Sequence, residues 1–265
     1  DRKYLNQYIE RYILKKKITY GKAIDEIYMQ MDKEYRNEYF FKNTILNKLL
    51  IEKQSEHVAA FSELSIAKSK ADMVMIDDRG IVYEIKTDLD DFDRLQNQIK
   101  DYYKAFSYVN VVVSYKQYYK VKEILKDTKV GIYVLYSSGN LIPRKRAMCN
   151  RDALSYDSLF KILRKNEYES ILSKYKISLP ETNDFLYYKE CRKKIEKIGI
   201  TTLQKEMQEC LKKRNFTVEK ELLKKEIPYS LQFYTYFSMK NMREYNRLKA
   251  FVNEKVEEKH VLSVS

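Results

Sequence analysis

A chain of 265 residues, 44% hydrophobic and 34% charged, is long enough to bury a sizeable core and too apolar to be disordered, and its net charge of +13 favours a polyanionic partner. Three widely spaced cysteines (Cys149, Cys191, Cys210) without a CxxC pair argue against a disulfide framework or a cysteine zinc site. Two histidines, His57 and His260, are too few for a histidine-based metal centre, and no apolar run approaches the roughly 18 residues needed to cross a bilayer.

The opening DRKYLNQYIERY has no signal-like apolar stretch, so a cytoplasmic protein away from membranes is expected. Helical spacing of Tyr4, Ile9, Ile13, Ile24 and Ile27 predicts a helical segment over 1–33, and Phe41, Ile45 and Leu49 predict a second helix over about 34–51. VAAFSELSI (58–66), ADMVMI (71–76) and IVYEIK (81–86) are predicted strands joined by AKSK and by DDRG, a tight turn with glycine last. TDLDDFDRLQNQIKDYYKAF then takes a helical period, with Asp88 or Asp90 as cap and Leu95, Ile99, Tyr102 and Phe106 as buried face. YVNVVVSY (108–115) has the continuous apolar character of a central strand, KQYYKVKEILKD is a short helix, and VGIYVLY (130–136) is another buried strand. SSGN forms a turn, and PRKR is expected at a hairpin tip. From about Arg151 the pattern is helical, divided at SLPET and EIPYS. These elements predict an α/β mixed sheet flanked by helices over 34–150 and a basic helical region over 151–265.

Two acids and a lysine stand out in the apolar strands. Alternation puts Glu84 and Lys86 on one face and Ile81, Tyr83 and Ile85 on the other. A hairpin of suitable register brings Asp72 beside Glu84. A carboxylate buried alone costs several kcal/mol or stays protonated, and facing carboxylates repel unless a cation lies between them. An isolated ExK triplet is ordinarily a surface pair worth at most about 1 kcal/mol. Here the triplet stands inside an apolar strand, after an acid and a turn and before an amphipathic helix.

That arrangement, Asp72 followed by Glu84-Ile85-Lys86, resembles the PD-(D/E)XK nuclease superfamily, with Ala71 where the motif has proline. Gln98 to Tyr102 resembles the QxxxY signature of its RecB and lambda-exonuclease branch. NEYFFKNTILNKLL, SKADMVMID and VYEIKTDLDDFDRLQNQIKDYYKAF together resemble a poorly characterised bacterial family of this superfamily. The resemblance implies a restriction-endonuclease-like fold, with Asp72, Glu84 and the Ile85 carbonyl as ligands of Mg²⁺ (or Mn²⁺) and Lys86 as the catalytic lysine. It also implies a further acid, Glu38 from the helix before the sheet or Glu63 from the preceding strand. Gln98 and Tyr102, one helical turn apart, are placed to reach the same site. The implied reaction is hydrolysis of phosphodiester bonds in nucleic acid, DNA foremost.

Residues 140–265 hold 27 Lys+Arg against 17 Asp+Glu, so most of the positive charge lies there. Arg144, Lys145, Arg146, Lys193, Lys194, Lys212, Lys213 and Arg214 are the candidate phosphate contacts, whereas Phe233, Phe237 and Met242 have the spacing of a helix's inward face. Two other readings remain beside an enzyme: a nucleic-acid-binding protein that retains the fold without the chemistry, and an assembly factor whose helical tail binds a partner protein. Oligomeric state is left open.

Overall fold

The computed structural model describes residues 18–34, 36–52, 58–214 and 219–256, and they divide into two compact units, one within 54–215 and the other from 1–53 with 216–265. His57, His260 and the first part of the expected N-terminal helix lie outside the described residues. In chain order, α1 (Tyr20–Glu34) and α2 (Glu38–Leu46) come first, α2 running into a π-helical turn at Asn47–Ile51. β1 (Ala59–Ile66), β2 (Ser69–Ile76) and β3 (Gly80–Lys86) follow, then α3 (Leu95–Tyr102) and β4 (Tyr108–Ser114). Next are α4 (Tyr118–Leu125), β5 (Gly131–Leu135) and β6 (Leu141–Lys145). Helices α5 (Tyr156–Ile162), α6 (Lys165–Lys174), α7 (Asp184–Lys194) and α8 (Ile200–Lys212) complete the 54–215 unit. α9 (Lys220–Glu226), α10 (Gln232–Ser238) and α11 (Met242–Asn253) belong to the other unit.

The six strands form one mixed sheet in the order β1-β2-β3-β4-β5-β6, so the expected α/β architecture holds. β3, β4 and β5 run parallel and the outer pairings are antiparallel. Parallel strands need crossovers, and α3 and α4 supply them. Register and alternation put Val82, Glu84, Lys86, Val111, Val113, Ile132 and Val134 on one face. The apolar members of that face share a core with Leu95, Ile99 and Tyr102 of α3. Leu159, Phe160, Leu172, Leu203 and Met207 from α5, α6 and α8 join the same core. The domain boundary expected near residue 150 is therefore corrected: α5 to α8 bury their apolar stripes within the sheet's own core.

Three local expectations also change. α3 starts at Leu95, because Thr87 N–H and Oγ1 both bond to Asp90 Oδ2 at 2.7 Å and hold a turn, so neither Asp88 nor Asp90 caps the helix. Pro143, Arg144 and Lys145 of PRKR belong to edge strand β6, with Arg146 just past it, rather than to a hairpin tip; Pro143 is tolerated where β6 has a neighbour on one side only. Gly80, last in DDRG, opens β3, and a Cβ there would come within 2.6 Å of the Phe106 ring. It is glycine because backbone and core ring are in close approach.

In the other unit an early and a late segment of the chain meet. Thr19 bridges to Lys255, and Tyr20 stacks on Phe251 at 4.8 Å between ring centres. Asn43 of α2 donates to Tyr229 O at 2.9 Å and accepts from Phe233 N–H at 2.9 Å, so one buried amide fixes the start of α10. Among the described residues, 18–34 therefore pack with the helices of the same unit rather than stand as a separate segment. Phe233 and Phe237 pack together at 4.7 Å, while Met242 is exposed rather than inward.

Candidate active site

Glu84 is 2% exposed at the C-terminal half of β3. A carboxylate in such a place requires partners, and α3 provides two. Gln98 Nε2 donates to Glu84 Oε1 at 2.5 Å, and Tyr102 Oη lies 2.5 Å from Oε2 and 3.0 Å from Lys70 O. Lys86 Nζ, two residues along the same face, is 3.4 Å from Oε1. Burial raises the Glu84 carboxyl above the usual range, against the opposing pull of Tyr102, Lys86 and Gln98. Burial and then the negative charge of Glu84 hold the Tyr102 phenol far above its usual value, so it keeps its proton and acts as donor. Three contacts leave the carboxylate part of its accepting capacity of about four lone-pair sites.

Asp72 sits across the hairpin. The β2–β3 pairing is regular up to Met73↔Tyr83, which puts Asp72 and Glu84 opposite each other at the next position. Asp72 Oδ2 accepts the Ile85 N–H at 2.7 Å and so ties its carboxylate to the peptide between Glu84 and Lys86. On the other side, the β1–β2 register passes from Ser62↔Met73 to Leu64↔Ala71 and skips Glu63 and Asp72. Glu63 has φ +58°, a left-handed conformation in the middle of a strand. This backbone costs an L-residue about 1–2 kcal/mol. It also brings a Glu63 carboxylate oxygen within 4.8 Å of one from Asp72.

The strain at Glu63 yields a sign-changing expectation. Glu→Gly within an ordinary strand or helix loses roughly 0.5–1 kcal/mol. Glu63→Gly is instead expected to match or exceed the parent's stability, because glycine accepts the positive φ and one of two neighbouring negative charges is removed. Thermal unfolding in chelator measures this; a clear fall in Tm means the left-handed turn is not there.

α3 is held against the β1–β2 hairpin by Asp101, one helical turn from Gln98. Its Oδ2 accepts from Ser69 Oγ at 2.8 Å and from Lys68 N–H at 3.3 Å, and Oδ1 pairs with Lys104 at 2.6 Å. Burial acts to raise this carboxyl, but Lys104, Ser69 and the Lys68 N–H outweigh it and hold it below the usual value. Asp101 escaped the sequence reading, although its i+3 spacing from Gln98 was there to be read. Glu38 opens α2 in the other unit, where it pairs with Lys42 at 2.6 Å.

The eight basic candidates separate by their partners. Lys145 Nζ lies 2.5, 3.3 and 2.7 Å from the carbonyls of Leu125, Lys126 and Thr128, closing the C-terminus of α4. Arg214 forms a bidentate pair with Glu167, its Nε 2.6 Å from Oε1, and donates to Ile162 O at 2.7 Å. Lys145 and Arg214 are thus engaged within the fold itself. Lys194 donates to Ser178 O at 2.7 Å, Lys193 pairs with Glu190 and Lys212 with Glu209. Arg146 and Lys213 are exposed. Arg144 is exposed too and lies over the Tyr136 ring at 5.4 Å.

The family described as Bacteriophage P4 protein cII matches residues 31–233, which include β1 to β6 and all of Glu38, Glu63, Asp72, Glu84, Lys86, Gln98 and Tyr102. No match was found among curated proteins. Among solved structures, one entitled "The structure of Pyrococcus Furiosus SfsA in complex with Ca2+" aligns at 18% identity and a TM-score of 0.25, covering 40% of this chain and 61% of that one. This chain therefore spans less than two thirds of that protein's length. None of the described helices is long and apolar enough to cross a membrane.

Proposed function

The chain belongs to the bacteriophage P4 protein cII family, and we propose that it is a divalent-metal-dependent nuclease that hydrolyses phosphodiester bonds, those of DNA in particular. The observation that carries this reading is the Glu84 carboxylate, buried to 2% exposure yet held by Gln98, Tyr102 and Lys86, with Asp72 on the next strand. A structural ion pair needs neither a second acid opposite it nor a third, Glu63, in a strained backbone beside that one.

The donor set suits Mg²⁺ or Mn²⁺. Carboxylate oxygens of Glu63 and Asp72 within 4.8 Å of each other have the hardness and approximate separation for one shared ion, given metal–oxygen distances of about 2.0–2.6 Å. Asp72, Glu84, the Ile85 carbonyl and Glu63 are the proposed ligands. Once bound, the ion supplies Lewis-acid activation of water and phosphate. The chain's own groups do the rest. Lys86 presents an ammonium beside Glu84 to stabilise charge that builds on the phosphate oxygens. Gln98 and Tyr102 hold Glu84 in one orientation, and the Ile85 N–H does the same for Asp72.

Cleavage of linear, circular and single-stranded DNA with Mg²⁺ or Mn²⁺ tests this reading. Cutting that stops in excess chelator is expected; undiminished cutting in chelator overturns the metal. Salt-dependent DNA binding with no cutting of any substrate overturns the enzyme in favour of a pure binder. Metal titration of Glu63→Gln tests the further acid: weaker binding is expected, and undiminished binding removes Glu63 from the ligand set.

A further inference from the structure

Four tyrosines cluster where β4 and β5 end. Tyr115 follows β4 directly, Tyr136 follows β5, and their rings are 5.4 Å apart at 31°. Tyr119 packs edge-on against Tyr115 at 6.2 Å and lies 5.2 Å from Tyr118, both on α4. Tyr115 and Tyr119 are 49% and 62% exposed, so this much aromatic surface faces solvent without serving the core. Two cations flank it: Arg144 lies over Tyr136 and donates to its hydroxyl, and Lys116, its side chain 84% exposed, is 3.4 Å from Asp88, a solvent-exposed pair that a phosphate can compete for.

Position gives the cluster its meaning. Lys86 pairs with Val113 and Val113 with Val134, so continued alternation brings Tyr115 and Tyr136 to the face and end of the sheet that carry Lys86. Ser114 Oγ bonds to Asp88 just beyond β3, fixing that end of β4 to the segment after the ExK triplet. Strands are about 4.8 Å apart, so the rings stand one and two strands, roughly 5–10 Å, from the strand of Glu84 and Lys86.

We propose that this tyrosine cluster is a stacking platform for the bases of single-stranded nucleic acid, with Arg144 and Lys116 on its phosphates, placed to lead a strand into the acid–lysine site. Exposed aromatic faces beside cations match unpaired bases joined by phosphates. A duplex hides its base faces and offers such rings nothing to stack on. Hydroxyls and cations interrupt the surface too often for the apolar face of a helix. The platform rests on the nuclease reading only for what it feeds; its binding is a separate property.

The test measures fluorescence anisotropy of a labelled oligothymidylate and a labelled duplex in chelator, where no cutting occurs. Replacing both Tyr115→Ala and Tyr119→Ala is expected to weaken single-strand binding by about ten-fold or more and leave duplex binding unchanged. Tyr115→Phe with Tyr119→Phe keeps the rings and is expected to bind like the parent. Single-strand affinity undiminished in the alanine variant overturns the platform, as does an equal loss on both probes. A failure to cut DNA in metal, with this binding pattern intact, defeats the nuclease reading and leaves the platform standing.

Discussion

Lys86→Ala is expected to slow metal-dependent DNA cleavage by about 10²–10³-fold or more, with DNA affinity close to the parent's. Lys86 contributes one charge among 51 Lys and Arg residues, too small a share to decide overall affinity for a polyanion. Its ammonium is nevertheless 3.4 Å from Glu84 in a site with an 11% exposed lysine side chain, where a fixed charge acts more strongly than in water. Asp72→Ala is expected to match the loss for a different reason, since it removes a proposed ligand and frees the Ile85 N–H. The check is single-turnover cleavage beside anisotropy binding, with unfolding curves for each variant. Lys86→Met keeps the aliphatic stem in place and so isolates the charge. If both alanine variants cut as fast as the parent, the site is not where the chemistry happens.

How far this site was legible follows from which interactions are local. Alternation along IVYEIK put Glu84 and Lys86 on one face, and helical spacing put Gln98 and Tyr102 together; both pairs meet at Glu84 as drawn from the sequence. These are periodicities of two and of about four residues, fixed by backbone geometry. Glu63 is different. Nothing in AAFSELSI marks the fifth residue as left-handed, because the skipped pair exists only once β1 and β2 are in register. The sixth strand was missed because Pro143 and three charges in LIPRK and the residue after it resemble a turn, and only its edge position makes them acceptable.

The unit boundaries were illegible for a related reason. A helical stripe shows that a helix buries one face without saying which core receives it, so α5 to α8 read as a separate region until Leu159, Phe160 and Leu203 met Val111 and Val134. Charge is equally mute. Lys145 and Arg214 look in sequence like Lys213, yet the first closes a helix and the second joins three helical ends.

Arg214→Ala is accordingly expected to destabilise the protein by about 3 kcal/mol rather than to weaken DNA binding. The guanidinium and the Glu167 carboxylate are 12% and 11% exposed, and removing one leaves the other largely desolvated without its partner. The loss reaches further, because Arg214 also satisfies Ile162 O at the end of α5, and Glu167 accepts the Arg164 N–H at 2.7 Å at the start of α6. Burial on its own would raise the Glu167 carboxyl; the bond from Arg214, the Arg164 N–H and the two arginine charges overcome it and hold the group below its usual value. A carboxyl depressed in the folded state contributes stability that is present above its unfolded pKa of about 4.3 and is lost as pH falls through the folded one. The gap in stability between parent and Arg214→Ala should therefore be full near neutrality and shrink on acidification below that value. Denaturant unfolding from pH 7 down to about pH 3 measures it. A variant as stable as the parent but with weaker, less salt-sensitive DNA binding would return Arg214 to the phosphate contacts and break the three-helix junction.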